Sequence, residues 1–282
     1  MRIAITGSAG FIGAELVNYL SARHDILALQ RKADSGKANV QIRQFDLTND
    51  STFNAVSDCD VLVHCAFIKS DKKNKLAFKQ NVEATVKLAQ LCKEKGVHFI
   101  FLSTMSAHSE ALSNYGKHKF EIENLLTREN VCVLKLGLVI GSTGGLFHSI
   151  KGIVSKAAAI PLVDGGTQPI QVIHISDLCK IVETVAQQRI TGTYNVGTPQ
   201  VYRLKDLYAQ IALAENKQPK FISVPFWFMK LALGTLEILP IALPVTTENL
   251  LGLKQLKAFD TASDMRKLGI DLISMEKAIS IS

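Results

Sequence analysis

The chain has 282 residues, 47% of them hydrophobic and 20% charged, with a formal net charge of +7. That length and apolar content can bury a full core, as one large α/β domain or as a domain with a smaller partner, and they exclude a disordered or collagen-like chain. The excess of Lys and Arg suits an anionic ligand such as a nucleotide. It is scattered, with no basic stripe carrying interleaved aromatics, so nucleic acid is not expected as a partner.

Arg2 to Thr6 is a short run with two Ile, bounded by Gly, and reads as a buried strand. Gly7, Gly10 and Gly13 follow at three-residue steps, and the helix-forming run Ala14 to Leu20 comes next. Gly7 permits a tight turn, Gly10 lets backbone approach a pyrophosphate, and Gly13 allows the new helix to pack closely on the sheet. The start of that helix offers free N–H groups to phosphate.

Asp25 to Gln30 is the second strand and runs into Arg31-Lys32. The end of this strand in dinucleotide folds meets the adenosine ribose, where an acidic side chain accepts from the 2′-OH and a basic one accommodates a 2′-phosphate. Arg31, with Lys32, therefore favours NADP(H), with NAD(H) kept open; the alternative is an exposed basic loop. Val40 to Phe45 is the third strand, followed by Asp46-Leu47, and Val61 to Cys65 is the fourth, followed by Ala66-Phe67. Fully apolar strands alternating with helical segments predict a parallel sheet covered on both faces.

Lys75 to Lys95 has the spacing of a long amphipathic helix stopped by Gly96. Val97 to Leu102 is the fifth strand and leads into Ser103-Thr104-Met105-Ser106, hydroxyls at the strand end where open α/β sheets bind ligands. A helix over Tyr115 to Arg128 puts Tyr115 and Lys119 on one face. A phenol titrates near 10, and a neighbouring ammonium lowers that value by stabilising phenolate.

Val131 to Leu136 is the sixth strand, Gly141 to Gly145 a flexible loop, and Leu146 to Ala159 a helix. Pro161 to Gly166 and Ile170 to Ile175 read as short strands, Ser176-Asp177 as the cap of a helix over Leu178 to Gln187, and Thr193 to Val196 as a return to the sheet. Asp177 is a helix cap or a functional residue, and His174 is a structural hydrogen-bonder. Arg203 to Glu215, Pro225 to Leu239, Ser263 to Leu268 and Ser274 to Ile281 are helices.

The most apolar stretch, Phe221 to Val245, is broken by Lys230, Gly234, Glu237, Pro240 and Pro244, which favours a core helix or a hydrophobic surface over a membrane span. Phe226, Trp227, Phe228 and Met229 are expected to pack in the core, with a lid over substrate or a homodimer surface as alternatives. The five cysteines, Cys59, Cys65, Cys92, Cys132 and Cys179, are widely spaced and read as reduced thiols with no metal. With a strand opening the chain directly, a cytoplasmic protein is expected.

Thr6-Gly7-Ser8-Ala9-Gly10-Phe11-Ile12-Gly13, Asp46-Leu47, Ser103-Thr104, Tyr115-x-x-x-Lys119 and His174-Ile-Ser-Asp177 together resemble the extended short-chain dehydrogenase/reductase superfamily, and within it the NAD(P)-dependent epimerase/dehydratase group that acts largely on nucleotide sugars. The resemblance implies a Rossmann-type doubly wound parallel sheet with a smaller mixed α/β substrate lobe. Residues 1–140 would form the dinucleotide domain, to which the chain returns around 170–200, and 141–282 would be mainly the lobe. It also implies roles: Tyr115 as general acid/base, Lys119 on the nicotinamide ribose and lowering the Tyr115 pKa, and Thr104, or in reserve Ser106, on the reacting oxygen. Phe11 and Ile12 would give N–H groups to the pyrophosphate, Asp46 and Leu47 would meet adenine, and Ala66 and Phe67 would line the nicotinamide.

Two departures stand out. Thr104 and Tyr115 are only eleven positions apart, which shortens a substrate-facing loop, and Lys135-Leu136-Gly137 stands where the family often has Arg-Pro. The expected function is hydride exchange on a nucleotide sugar or 4-keto sugar, with net reduction favoured over epimerisation if NADP(H) is the exchangeable cofactor. A ketone reductase on a non-sugar substrate and a non-catalytic nucleotide-binding accessory protein are the alternatives.

Overall fold

The structure is a computed structural model that describes residues 1–32, 39–68, 76–126, 129–238, 243 and 245–282. Its first part alternates strand and helix: β1 (Arg2–Thr6), α1 (Phe11–Leu20), β2 (Asp25–Gln30), β3 (Val40–Gln44), β4 (Val61–His64), α2 (Ala77–Lys95), β5 (His98–Thr104), α3 (Asn114–Leu125) and β6 (Val131–Leu136). There follow β7 (Leu138–Ile140), α4 (Gly145–Val154), β8 (Ala159–Val163), β9 (Pro169–Ile170), β10 (Val172–His174), α5 (Ile175–Gln188) and β11 (Gly192–Val196). The last part is β12 (Tyr202–Arg203), α6 (Leu204–Ala214), β13 (Lys220–Val224), α7 (Phe226–Leu236), α8 (Thr247–Lys254), α9 (Thr261–Leu268) and α10 (Met275–Ser280).

Seven parallel strands form the central sheet in the order β11-β6-β5-β4-β1-β2-β3. Alternate side chains of each strand feed opposite faces, which is why the inner strands read as unbroken apolar runs. Ile3, Ile5, Val63 and Ile100 pack under Leu16 and Leu20 of α1 and Leu178 and Val182 of α5. Ala4, Leu62, Phe99 and Phe101 pack under Leu88 and Cys92 of α2 and Ile122 of α3. Strand order reverses between β1 and β4, and a crevice at the carboxyl ends there is where such sheets take ligands.

The third core joins Phe147 and Ile150 of α4, Ile160 and Leu162 of β8, Leu207 and Ile211 of α6 and Ala278 of α10. Met265 and Leu268 of α9 return to the first core. All five cysteines are free, and among the described residues no cluster of His, Cys, Asp and Glu could hold a metal.

Several expectations are corrected in the second half. The helix expected to reach Ala159 ends at Val154. Ala159 instead starts β8, paired in parallel with β13 from Lys220, so non-local pairing overrides the helix propensity of Ala157-Ala158-Ala159. Strand β13 and helix α8 were not expected, and Pro161 to Gly166 gives way at Asp164 to a 3-10 turn. Helix α5 begins at Ile175, and its cap is His174, whose Nδ1 accepts from the Ser176 N–H at 3.2 Å. Asp177 therefore does not cap the helix. Its buried carboxylate accepts from Ile273 N at 3.0 Å and clips the C-terminal segment down.

Phe226 to Met229 do not enter a core, because no residue of α7 is buried. The expected helix limits Lys75, Arg128 and Leu239, and the breaks Pro240 and Pro244, lie outside the described residues.

Gly137 marks where the chain leaves the central sheet for β7. A Cβ there would stand 2.3 Å from the Gln171 carbonyl oxygen, an atom with no freedom to move aside. Gly137→Ala is expected to cost about 1–3 kcal/mol of stability by overpacking, measured by denaturant unfolding. A loss below roughly 0.5 kcal/mol, typical of an unconstrained surface site, contradicts the close approach.

Candidate active site

The glycine turn joins β1 to α1, and its glycines have different reasons. Gly7 sits at φ 66°, and a Cβ would meet Ala66 Cα at 2.9 Å. Gly13 has ordinary helical backbone, but its Cβ would lie 2.3 Å from the Gly7 carbonyl oxygen, so only glycine lets α1 start this close to β1. Gly10 is the N-cap, extended at φ −82°, and offers no side chain to the first turn. As at any helix start, the N–H groups of Phe11 and Ile12 have no acceptor within the helix, and no side chain caps them. A Cβ on Gly10 would touch only the Gly7 carbonyl, at 3.2 Å, and would otherwise project into the cradle before the helix. That cradle fits a pyrophosphate.

The far side of Phe11 is gripped by the glycine loop expected to be flexible. Gly141, Gly144 and Gly145 all meet the Phe11 side chain, at 2.7, 3.0 and 3.0 Å from their would-be Cβ atoms, and the last two have positive φ. The loop that begins the second half is thus wedged against the phosphate turn.

Arg31 and Lys32 are exposed past the tip of β2. Gln30, not a carboxylate, occupies the strand end and accepts from the Ser8 hydroxyl at 3.4 Å. Asp46 follows β3, and its Oδ1 accepts from Thr48 N and Thr48 Oγ1, both at 2.8 Å. The Leu47 side chain goes into the core with Phe45 and Phe53, so its backbone is what remains for a ligand.

A buried chain that sequence reasoning missed fixes the loop after β4. Thr85 Oγ1 donates to Asn81 O at 2.7 Å, so it accepts from His64 Nε2, 3.1 Å away. His64 Nδ1 then accepts from the Thr6 hydroxyl at 2.8 Å, and Thr6 Oγ1 in turn accepts from Cys65 N and Ala66 N at 3.1 Å. Asn81 closes the loop by bonding Ile68 N and O at 2.8 Å each. Burial, with Lys119 nearby, pushes His64 down to about 3, so the neutral ring this pattern needs is the one present. A Thr at the end of β1 and an Asn four before a Thr on the buried face of α2 were the available signals.

This chain places Phe67. Its ring meets Tyr115 edge-on with centroids 5.0 Å apart, and Lys119 Nζ lies 5.1 Å from its centre. Tyr115 and Lys119 sit on α3, capped by Ser113, whose hydroxyl accepts from Gly116 N at 3.1 Å. Gly116 presses on the end of β5, since its Cβ would be 2.5 Å from the Ser106 carbonyl oxygen. Asn114 is held from α8, donating through its backbone N and its Nδ2 to Glu248 at 2.8 and 2.9 Å.

Lys119 is buried, donates to Leu102 O at 2.7 Å, and lies 4.3 Å from the Phe101 ring centre. Desolvation holds it down at about 8, opposed by Cys65 and Glu123. Tyr115 keeps 42% of its surface exposed, so the cleft is open at the ring. Desolvation by the walls raises its phenol, a rise that the exposure limits, and with the ammonium on Leu102 no cation lowers it. Thr104 Oγ1 is half-buried and accepts from Ser106 N at 3.2 Å. Ser103 points to the other side and bonds Glu123, which also pairs with Lys135 Nζ at 2.6 Å.

Gly7, Arg31, Asp46, Ala66, Phe67 and Thr104 all follow or end neighbouring strands at the carboxyl end of the sheet, and α3 brings Tyr115 and Lys119 to it. A doubly wound parallel sheet with a glycine cradle at its switch point defines a dinucleotide-binding protein of the Rossmann type. The family model described as NAD dependent epimerase/dehydratase matches residues 3–197, and the chain belongs to that family. Among its relatives, the UDP-glucose 4-epimerase of Vibrio cholerae is 24% identical over 81% of this chain and 80% of its own. The mitochondrial NADH dehydrogenase [ubiquinone] 1 alpha subcomplex subunit 9 of Arabidopsis thaliana is 20% identical over 91% of this chain and 69% of its own. The fold is also that of the Bordetella bronchiseptica enzyme WbmG, solved with NAD and UDP, at TM-score 0.75 and 18% identity over 100% of this chain and 93% of that one.

Proposed function

We propose that the chain is an NAD(P)-dependent oxidoreductase or epimerase that moves hydride at a secondary alcohol or ketone carbon of a nucleotide sugar or 4-keto sugar. The observation carrying this reading is the convergence of Phe67, Tyr115 and Lys119, at 5.0 and 5.1 Å, on the carboxyl end of the sheet that holds the glycine cradle. Relatives named for UDP-glucose and a neighbour solved with UDP support the substrate class.

The nicotinamide cofactor, when bound, supplies or accepts the hydride. Phe11 and Ile12 hold its pyrophosphate through their N–H groups, Asp46 and the Leu47 backbone meet the adenine, and Ala66 with Phe67 lines the nicotinamide. Tyr115 gives its phenolic proton to the carbonyl oxygen in reduction and takes it back in oxidation. Thr104 orients that oxygen, with Ser106 in reserve. Lys119 spends one of its three N–H donors on Leu102 O and offers the others to a ribose hydroxyl.

Arg31, exposed and without an ionic partner among the described residues, is assigned to the 2′-phosphate of NADP(H). Arg31→Ala is then expected to weaken NADPH at least about tenfold, the scale of one charge-assisted contact, and to leave NADH unchanged. Equal effects on both cofactors defeat the assignment.

The pH profile follows from Lys119, which titrates at about 8 in the free protein. It is cationic at neutrality and loses that charge as pH rises, so kcat/KM is expected to fall above about pH 8. A profile still rising at pH 9 contradicts a role for the ammonium.

The reading is tested by screening nucleotide sugars and 4-keto sugars while following nicotinamide absorbance and product stereochemistry together. A second reading, a ketone reductase on a non-sugar substrate, draws on the eleven-position spacing of Thr104 and Tyr115 and on the Phe67 ring beside Tyr115. It predicts turnover of small ketones and none of sugar nucleotides. A non-catalytic accessory role, suggested by the NADH dehydrogenase relative, is disfavoured by the presence of both Tyr115 and Lys119. Five free thiols fit a reducing compartment, and we place the protein in the cytoplasm.

A further inference from the structure

Helix α7 is apolar on nearly every side, Phe-Trp-Phe-Met-Lys-Leu-Ala-Leu-Gly-Thr-Leu, yet none of its residues is buried. A helix of that composition normally lies inside a core. Its inner side rests on α8: Lys254 Nζ lies 4.9 Å from the centre of the Phe226 ring, and Glu237 just past the helix accepts from Thr247 N at 2.6 Å. Its outer side carries Trp227, Phe228 and Leu231 at 67, 52 and 62% exposure, continued by Ile238 at 76%. Helical spacing puts Trp227 and Leu231 on one face with Phe228 beside them, and Ile238 follows just past the helix end. Trp227 and Phe228 meet edge-on, with centroids 5.8 Å apart, so the two rings form one raised apolar edge.

The charges around this stripe are mostly positive: Asp164, which accepts from Phe226 N at 3.0 Å, is paired with Lys254 at 3.2 Å, and lysines remain in excess. From residue 217 to 238 the chain carries Lys217, Lys220, Lys230 and Glu237. The three lysines are exposed and have no carboxylate partner among the described residues, while Glu237 is half-buried and engaged by both the N–H and the hydroxyl of Thr247. Among the described residues no helix is long and apolar enough to cross a membrane. An exposed Trp-Phe-Leu stripe flanked by lysines on a short helix has the chemistry of an element that lies in the plane of a bilayer surface. There the rings enter the headgroup boundary and the ammonium groups meet anionic lipid.

We propose that the outer face of α7, with Trp227, Phe228, Leu231 and Ile238 inserted and Lys230 alongside, docks the protein peripherally on an anionic lipid surface. A second copy of the chain is a poorer occupant. A twofold contact sets the same patch against itself and brings Lys230 of each copy to the same like-charged seam.

Trp227 is the sole tryptophan of the chain, so its emission reports on this face alone. Adding phosphatidylcholine vesicles that contain phosphatidylglycerol to the full chain is expected to shift the emission to shorter wavelength and to protect Trp227 from iodide. High salt reverses both effects and pure phosphatidylcholine gives much less. Leu231→Asp, at an exposed position remote from the cofactor cradle, is expected to weaken vesicle binding more than about tenfold while leaving the melting temperature and dinucleotide binding unchanged. The proposal is overturned if anionic vesicles leave Trp227 emission and quenching unaltered, or if neutral and anionic vesicles bind equally. It is also overturned if the emission of the protein alone shifts with its concentration as the sedimenting mass doubles, which assigns the face to a second copy.

Discussion

Tyr115→Phe is expected to lower turnover by about 10²- to 10⁴-fold, the range for removing a positioned general acid/base, and to leave cofactor affinity and stability at the wild-type level. The substitution deletes one oxygen and keeps the ring, so the edge-on contact with Phe67 at 5.0 Å survives. The residue is 42% exposed, so removing one oxygen strips away little buried contact. The effect must therefore appear in kcat and in single-turnover hydride transfer, and not in the dissociation constant for NADPH or NADH. Full turnover in the variant, on a substrate identified by screening, would remove Tyr115 from the chemistry.

Lys135→Met should cost about 3–5 kcal/mol of folding free energy, the usual result of stranding one partner of a buried ion pair. Lys135 and Glu123 are about nine-tenths buried at their side chains, and their 2.6 Å contact crosses from β6 to α3. Lys135 Nζ also holds Ala107 O at 2.6 Å, and Glu123 holds Ser103. The lysine thus ties together β6, the end of β5, the loop beyond it and the helix that carries Tyr115 and Lys119. Adding Glu123→Gln to Lys135→Met should restore a large part of the loss, because the uncompensated charge is then gone. Denaturant melts of the two single variants and the double variant measure this directly. Strictly additive losses would show that the two residues do not act as a pair.

The central sheet was legible because its signals are local. Gly7, Gly10 and Gly13 lie within one turn, and the apolar runs at Ile3, Leu27, Leu62 and Phe99 each announce a strand without reference to any other. The glycines of the turn could be assigned separate roles from their order, but the atoms that enforce those roles could not. The structure adds what presses on each: Gly7 has a positive φ and faces Ala66, and Gly13 faces the Gly7 carbonyl oxygen. Residues joined across long separations were not legible. Thr6, His64 and Thr85 span the chain from β1 to α2, and no local pattern announces that their side chains form one hydrogen-bonded line.

The second half of the chain was the least legible for the same reason. Strand β13 exists only because β8 lies beside it, and the alanines at its partner's start speak for helix. Lys135 was visible as a departure from the family's Arg-Pro, but its meaning came from Glu123, twelve positions away and on another element. The apolar run at α7 was read as core, since hydrophobicity states a preference for burial and not what supplies it. In this fold the nearest element, α8, covers only one side.

Titration of the full chain with NADPH and with NADH, followed by nicotinamide fluorescence, puts the dinucleotide site to its most direct test. The cradle at Gly7, Gly10 and Gly13 with Arg31 at its far end predicts saturable one-to-one binding, tighter for NADPH. Failure of both cofactors to bind would contradict it.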